Sequence, residues 1–512
     1  METQAGAATI AAMGIAVPRY RLSCDATGAP LRRPVAIAGE DEDSLTLAVD
    51  AAMACPGLRS HGHLGTVEAL YMATTTAPLA EGSPAAIAAA ALDLTARRTA
   101  DLGGSLRAAT SALMSAVDGI AAGSFGSALV LAADTRAAAP GSELDGQLGA
   151  AGAAVLLRGH DGSSGAPSSA GVSILAQLSQ SHAIGESWRS SEHTFIRRGD
   201  PRFGSSPAFL RDAAEVGRRV LDQAGCGPTD IDAAALGVAD GRAAHALAKA
   251  LGLSPRSARP EPTVGHTGTP HPLLLLADAL RSARPGQRIL VLALGNGTDA
   301  LVLQVGEGWS ASALGPAADL EALHATDATG HRGALTQYSR YLALRHLLPG
   351  RQRLDPFGSV ALAHRDEALD LRLRSRRCKA CTTISTLPLP VCTHCGARDA
   401  WQPHPLQRTG SIFTFTIEHY YPAVERPTGM VVLDLDGGGR MVMQATDCDT
   451  ADLSIGAPME LTLRRLHDGG GRPTYYWKCR PSGESGPERA TDDRPAGERA
   501  RDGARSVAGG QP

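Results

Sequence analysis

The chain has 512 residues, a formal net charge of −3 and nine cysteines, and 43% of it is hydrophobic but only 4% aromatic. That length allows two or three domains with a sizeable core in the first. A near-neutral charge spread along the chain argues against nucleic acid or an acidic membrane surface as the main partner.

In chain order, an opening strand from Thr9 to Val17 precedes an Ala-rich helix near Ser44 to Met53. Apolar residues then recur at helical spacing from Ala112-Leu113 through Ala116-Val117 to Ile120-Ala121. A turn at Gly123 and Gly126 leads into the apolar strand Ala128 to Ala133, and another strand follows at Ala153 to Leu157. The same succession returns with strand Val172 to Leu178, a helix near Asp212 to Ala224 and the buried helix Leu273 to Leu280. Pro285-Gly286 makes the turn, and strands Ile289 to Leu294 and Ala300 to Val305 close the second set. Two copies of a mixed βα unit stacked face to face predict a layered, duplicated α/β domain over residues 1–306. A single doubly wound sheet is the alternative. The strand Ala128 to Ala133, read as an edge without blocking charges, predicts a homodimer.

Residues 307–377 read as a linker, small and polar up to Gly333, carrying one amphipathic helix from Leu335 to Leu348 with Tyr338, Leu342 and Arg345. Pro349-Gly350 stops it. Residues 378–402 hold two CxxC knuckles ten residues apart, Cys378 with Cys381 and Cys392 with Cys395. Four thiolates complete a closed tetrahedron, so a structural zinc ion is expected, with His394 redundant as a ligand. Residues 403–481 turn to β-structure, with strands at Gly410 to His419, Gly429 to Leu435, Arg440 to Ala445, Met459 to Leu466 and Thr474 to Cys479. Five short strands predict a small barrel of the OB type. Its aromatics, Phe413, Phe415, Tyr475, Tyr476 and Trp477, are expected in core and interface roles rather than as stacking platforms for nucleic acid. Residues 482–512 are charged and Gly-rich, with little to bury, and read as a disordered tail.

Met1 to Gly14 lacks the basic start and long apolar run of a secretory signal, and no apolar run is long enough to cross a bilayer. With an odd number of cysteines, four of them in CxxC pairs, a cytoplasmic protein without a membrane partner is expected.

Met13-Gly-Ile-Ala-Val-Pro-Arg-Tyr-Arg-Leu22, Gly39-Glu-Asp-Glu-Asp-Ser44, Ala73-Thr-Thr-Thr76, Asp101-Leu-Gly-Gly-Ser-Leu-Arg107 and the loop Gly295-Asn-Gly297 resemble bacterial relatives of 3-hydroxy-3-methylglutaryl-CoA (HMG-CoA) synthase. Those proteins share the thiolase fold with ketoacyl synthase III. The C-terminal part resembles the zinc-ribbon and OB-fold proteins that accompany thiolase-like enzymes, here fused in one chain. The resemblance implies an acyl-CoA or acyl-carrier-protein thioester as substrate, a homodimer through the strand near Ala128, and a partner enzyme of the same pathway as a further possibility.

It also exposes departures. Thiolase-type condensing enzymes place a cysteine at a buried helix N-terminus, where the dipole favours thiolate. That position falls at Leu106 here, with Ser105 adjacent. The family's histidine falls in Val238-Ala-Asp-Gly-Arg242, which has Asp240 but no histidine, and its glutamate falls near Thr75, with Glu81 further on. The Gly-Asn-Thr motif reads Gly265-His266-Thr267, which makes His266 the candidate general acid/base and His271 a second. Backbone N–H near Leu106 and the Gly295, Asn296, Gly297 loop are the candidate oxyanion elements. Cys24, Cys55, Cys226, Cys448 and Cys479 sit in no helix-start motif and read as small buried hydrophobes. Three functions are compatible: an enzyme that makes or breaks a C–C bond beside a thioester without a cysteine acyl-enzyme, an acyltransferase using Ser105 or direct transfer, and a non-catalytic acyl-CoA-binding scaffold.

Overall fold

Strand β1 (Ala8–Ala16) is apolar on both faces and almost wholly buried, which places it inside a sheet covered on both sides. In the computed structural model the described residues are 8–58, 67–159, 171–200, 202, 206–238, 241–254, 257–258, 264–316, 333–348, 358–420, 423–424 and 426–482. Asp240, Pro349-Gly350, linker residues 317–332 and tail residues 483–512 lie outside them.

A hairpin of β2 (Tyr20–Cys24) and β3 (Pro30–Ile37) follows β1, then helix α1 (Ser44–Ala54) and strand β4 (Ala69–Ala73). Helix α2 (Pro84–Ala91), strand β5 (Arg98–Leu102), helix α3 (Ala108–Ala121) and strands β6 (Ser127–Thr135) and β7 (Ala150–Gly159) complete the first half. The second half has β8 (Val172–Ser181), a short hairpin of β9 (Ser187–Trp188) and β10 (Arg197–Arg198), and helix α4 (Pro207–Gln223). It ends with β11 (Ala233–Gly237), α5 (Gly241–Leu251), α6 (His271–Arg281), β12 (Arg288–Gly295) and β13 (Gly297–Val305).

The strand order β11-β12-β13-β8-β1-β7-β6-β4-β5 shows the duplication. From β1 outward the pairings run antiparallel to β7, antiparallel to β6 and parallel to β4. From β8 outward they run antiparallel to β13, antiparallel to β12 and parallel to β11. The halves join edge to edge where Thr9 pairs with Ser173 and Ile10 with Val172. Helices α3 and α6 share one core with strands of both halves, while α1 and α2 cover the outer face of the first and α4 and α5 that of the second. In α6, Leu273 to Leu276 are all buried, as a helix with sheet on both sides requires. This is the layered α/β domain that the repeat predicts.

One expectation fails. Strand β6 is not an edge: β4 and β7 pair with it on either side, and Ala128 to Ala133 are fully buried. A continuous apolar run marks an interior strand, and the sheet's open edges are β5 and β11.

Beyond the sheet, Ala334–Leu335 (β14) pairs in parallel with β2, so the expected helix is shorter, Tyr338–Leu344. A helix not read from the sequence, Val360–Asp370, precedes β15 (Arg374–Cys378), which pairs with β16 (Ile384–Ser385) and β17 (Trp401–Pro405) around the cysteine knuckles. Five strands follow: β18 (Thr409–Glu418), β19 (Thr428–Leu435), β20 (Arg440–Gln444), β21 (Pro458–Gly469) and β22 (Arg472–Pro481). They are ordered β20-β19-β18-β21-β22, and a bridge from Ala445 to Cys479 draws the end strands together into the expected OB-type barrel.

The barrel is not a loosely tethered module. Its core is continuous with that of α1 and α2. At the junction Arg464, fully buried, meets Asp50 at 2.9 Å, Glu42 at 3.2 Å and Asp447 at 2.7 Å. Lys478 pairs with Asp41 at 2.7 Å, and Tyr475 donates its hydroxyl to Asp43 at 2.7 Å. The acidic stretch that opens α1 is therefore the barrel's docking surface. Burial pushes Glu42 above the ordinary carboxyl range against the pull of the Arg464 charge, and the neighbouring Asp447 and Asp41 add to the rise. Trp477 is buried with its indole N–H on the Leu371 carbonyl at 2.9 Å, so Trp477 and Tyr475 are core and interface residues as expected.

Candidate active site and cysteine cluster

A cavity of about 940 Å³ opens where the two halves meet. Its wall includes Ser105 and Leu106 from the turn before α3, His266 from the turn before α6, and Gly295 and Asn296 from the β12–β13 hairpin. These candidates are thus brought together. Gly297 is not in the wall, Glu81 is exposed elsewhere, and His271 lies behind His266 with the rings stacked at 4.4 Å.

The α3 turn is held from outside the cavity. Arg107 reaches the fully buried Asp299 at 2.7 Å, and Thr110 and Ser111 donate to the other oxygen of that carboxylate at 2.9 and 2.6 Å. The Leu106 N–H has no acceptor among the described residues. At Gly295 a side chain would sit 2.5 Å from Ser105 Oγ and 3.2 Å from the Leu106 nitrogen, so glycine lets the hairpin pack against this turn. An unused N–H at the positive end of a helix is a candidate oxyanion donor. The Ser105 hydroxyl oxygen accepts from the backbone N–H of Arg107 and of Asn296, both at 3.4 Å. No histidine or carboxylate hydrogen-bonds to it among the described residues, so nothing there would take its proton. Asn296 is held by its own amide, which donates to the Ala183 carbonyl at 3.2 Å.

His266 Nδ1 lies 3.2 Å from an Arg136 guanidinium nitrogen and 3.3 Å from the Gly268 N–H. Both partners can only donate, so Nδ1 carries the lone pair and the ring proton sits on Nε2. Burial, the neighbouring His271 and the Arg136 charge push His266 well below its ordinary range, and burial and Arg136 push His271 down to about 4. His266 is neutral at neutral pH, a donor through Nε2, and not a group poised to titrate near pH 6.5. The sequence shows the histidine but not the arginine and the second ring that set this state.

Beneath it, Asp134 is fully buried and accepts from Thr74 Oγ1, Thr75 N, Thr75 Oγ1, Thr76 Oγ1 and Thr269 N at 2.7–3.0 Å. Gly268 has φ +81°, and a side chain there would sit 2.3 Å from Asp134, so only glycine lets the His266 turn cross it. Sequence reasoning missed the cavity's charge: seven arginines line it against three carboxylates. The available signal was local, Asp134-x-Arg136 directly after an apolar strand, but charge averaged over the chain conceals it. Of the remaining cysteines, Cys24, Cys55, Cys226 and Cys479 are buried and Cys448 is half-buried, and none lines the cavity.

In the ribbon, the sulfurs of Cys378, Cys381, Cys392 and Cys395 all lie within 4.8 Å of one another, with two pairs at 3.7 and 3.6 Å. Each knuckle closes when a left-handed residue, Thr382 or Gly396, donates its N–H back to the first cysteine's carbonyl at 2.9 Å. Tetrahedral Zn–S bonds of about 2.3 Å set sulfurs about 3.8 Å apart, so the four thiols fit one such ion. No helix among the described residues is long and apolar enough to cross a membrane.

The two halves repeat one βα arrangement around a shared layer of helices α3 and α6. The chain is 28% identical over 308 residues to the hydroxymethylglutaryl-CoA synthase of Methanopyrus kandleri, covering 56% of this chain and 84% of that one. It is 28% identical over 268 residues to the same enzyme of Aeropyrum pernix, covering 51% and 71%. Residues 403–464 match the C-terminal OB-fold domain of ChsH2. Among solved structures, 3-oxoacyl-(acyl carrier protein) synthase III of Pseudomonas aeruginosa aligns with 25% identity and a TM-score of 0.49, covering 59% of this chain and 98% of that one. The chain is thus similar to hydroxymethylglutaryl-CoA synthases over about half of its length, and residues 403–464 to the C-terminal OB-fold domain of ChsH2.

Proposed function

We propose that this protein acts on an acyl-CoA thioester, making or breaking a C–C bond with the thioester oxygen held as an oxyanion and with no covalent acyl-enzyme. The observation that carries this is that Leu106, whose N–H has no acceptor among the described residues, and His266, whose Nδ1 is taken by Arg136, line one cavity together with a Ser105 that has no base. An enolate puts its negative charge on the thioester oxygen, and both groups donate hydrogen bonds to such an oxygen. Leu106 removes the thiolate that would carry an acyl group. The exposed arginines Arg32, Arg33, Arg202 and Arg242 in the cavity wall suit the diphosphate and 3′-phosphate of CoA. In isothermal titration, CoA thioesters are expected to bind, and Arg32→Glu with Arg33→Glu to weaken them at least tenfold. Failure of every CoA thioester to bind at millimolar concentration would remove this reading. Binding without turnover across a panel of second substrates would leave the scaffold.

The cysteine cluster is proposed as a structural zinc site, closed to substrate by its four thiolates. About one zinc per chain is expected by elemental analysis, and Cys392→Ser is expected to lose it and loosen the ribbon. Well under one zinc in protein purified without chelator contradicts the assignment.

A further inference from the structure

Residues 143–148 line the cavity on a run of turns that gains strand pairing only where Leu148 bridges to His266. Much of what holds these turns comes from a distant part of the chain. Tyr338 donates its hydroxyl to Asp145 Oδ2, and Tyr341 donates its own to Asp145 Oδ1 at 3.3 Å. Both lie on the helix Tyr338–Leu344, in the segment that leads to the ribbon. The Gly141 N–H closes the turn onto the same Oδ2 at 2.8 Å. Just past that helix, Arg345 donates to the Thr135 carbonyl at 2.8 Å. The helix also packs Tyr341 and Leu344 into one cluster with Leu22, Val35 and Ile37 of the β2–β3 hairpin, and β3 carries Arg32 and Arg33. Neither tyrosine is in the cavity wall.

From this arrangement we infer that Tyr338 and Tyr341 are positioning residues for the CoA end of the cavity. Through Asp145 they fix the turns at 141–148, and through their helix they fix the hairpin that presents Arg32 and Arg33. A surface run of turns opens at little cost unless something outside it holds it. Hydrogen bonds to a carboxylate, about twice as strong as neutral ones, supply that hold. Asp145 otherwise has the wrong charge for this wall, because a carboxylate beside a phosphate site repels the ligand. Serving as the anchor of the two phenols accounts for it. The inference rests on the acyl-CoA reading and deepens it: the CoA site needs a helix that lies beyond the α/β domain.

The test is calorimetric binding of free CoA to the full chain, with backbone hydrogen exchange of residues 141–149 measured without ligand. Tyr338→Phe with Tyr341→Phe keeps both rings and removes only the hydroxyls. This variant is expected to weaken CoA about tenfold, as a displaced binding group would, and to speed exchange of the turns. Asp145→Asn is expected to weaken CoA as well, although it takes a negative charge out of a phosphate-binding wall. A purely structural role would lower the melting temperature and leave CoA affinity unchanged, and that result overturns the inference. So does unchanged exchange in the double variant. Tighter CoA binding by Asp145→Asn also overturns it, since the carboxylate would then act by its charge alone. If the double variant does not fold, Tyr338→Phe alone, at a half-buried position, gives the same two readings. A wild-type chain that binds neither CoA nor any CoA thioester removes the parent reading, and this inference falls with it.

Discussion

Replacing Arg464 with methionine is expected to destabilise the protein by about 3–5 kcal/mol, the range for removing one partner of a buried ion pair. The side chain is fully buried and sits among Asp41, Glu42, Asp50 and Asp447. Methionine fills a similar volume but leaves four carboxyl groups with only Lys478 and Arg480 to balance them. The contacts join α1 of the α/β domain to strand β21 of the barrel, so the loss should be felt by both domains together. Urea unfolding followed at once by tryptophan fluorescence and far-UV circular dichroism reads this. Trp477 reports the barrel, since its indole hydrogen-bonds the chain just before β15. One coincident transition moved to lower urea is expected. A shift below 1 kcal/mol, or a barrel transition separate from the sheet in the wild type, would show that the domains are merely tethered.

His266→Ala is expected to lower turnover by ~10²–10³-fold with little change in thioester affinity, the range for losing one oxyanion donor. His266→Gln should retain most of the rate, because a glutamine amide N–H can reach the place of the Nε2–H. A general base would behave differently: glutamine would fail as badly as alanine. Burial holds His266 well below its ordinary range, so a limb from it as a base would lie below pH 6.5. The same burial makes the fold acid-sensitive. His271 has its folded pKa lowered to about 4, so the unfolded chain takes up that proton first as pH falls. The stabilisation is therefore complete above about pH 6.5 and lost between there and pH 4, on the order of 3 kcal/mol for this group. Thermal melts at pH 7.5 and pH 4.5 measure it, and His271→Asn should flatten the difference.

What could be read from the chain divides by the range of the interaction. The cysteine knuckles and barrel strands are set by spacing and turns within a few tens of residues, and the structure reproduces the strands with boundaries moved by at most three residues. The duplication was legible because each half repeats its own apolar periods. Strand order was not: β6 has the composition of a strand and says nothing about which neighbours flank it, so composition alone does not separate an interior strand from an edge. The helix expected from Leu335 begins at Tyr338 because Leu335 pairs with a strand more than three hundred residues earlier. In the site, the positions around Leu106, His266 and Gly295 were found by motif. Their protonation and Arg136 were not, because both depend on which side chains the fold presses against a ring.

The central claim is thioester binding without a covalent intermediate, and mass spectrometry tests it most directly. After incubation with a CoA thioester that binds, native spectra should show the chain with the intact thioester attached. Denaturing spectra of the same sample should show the unmodified mass, and Ser105→Ala should leave both unchanged. A stable acyl adduct in the denaturing spectrum, mapped to Ser105, would contradict the account and establish a serine acyltransferase.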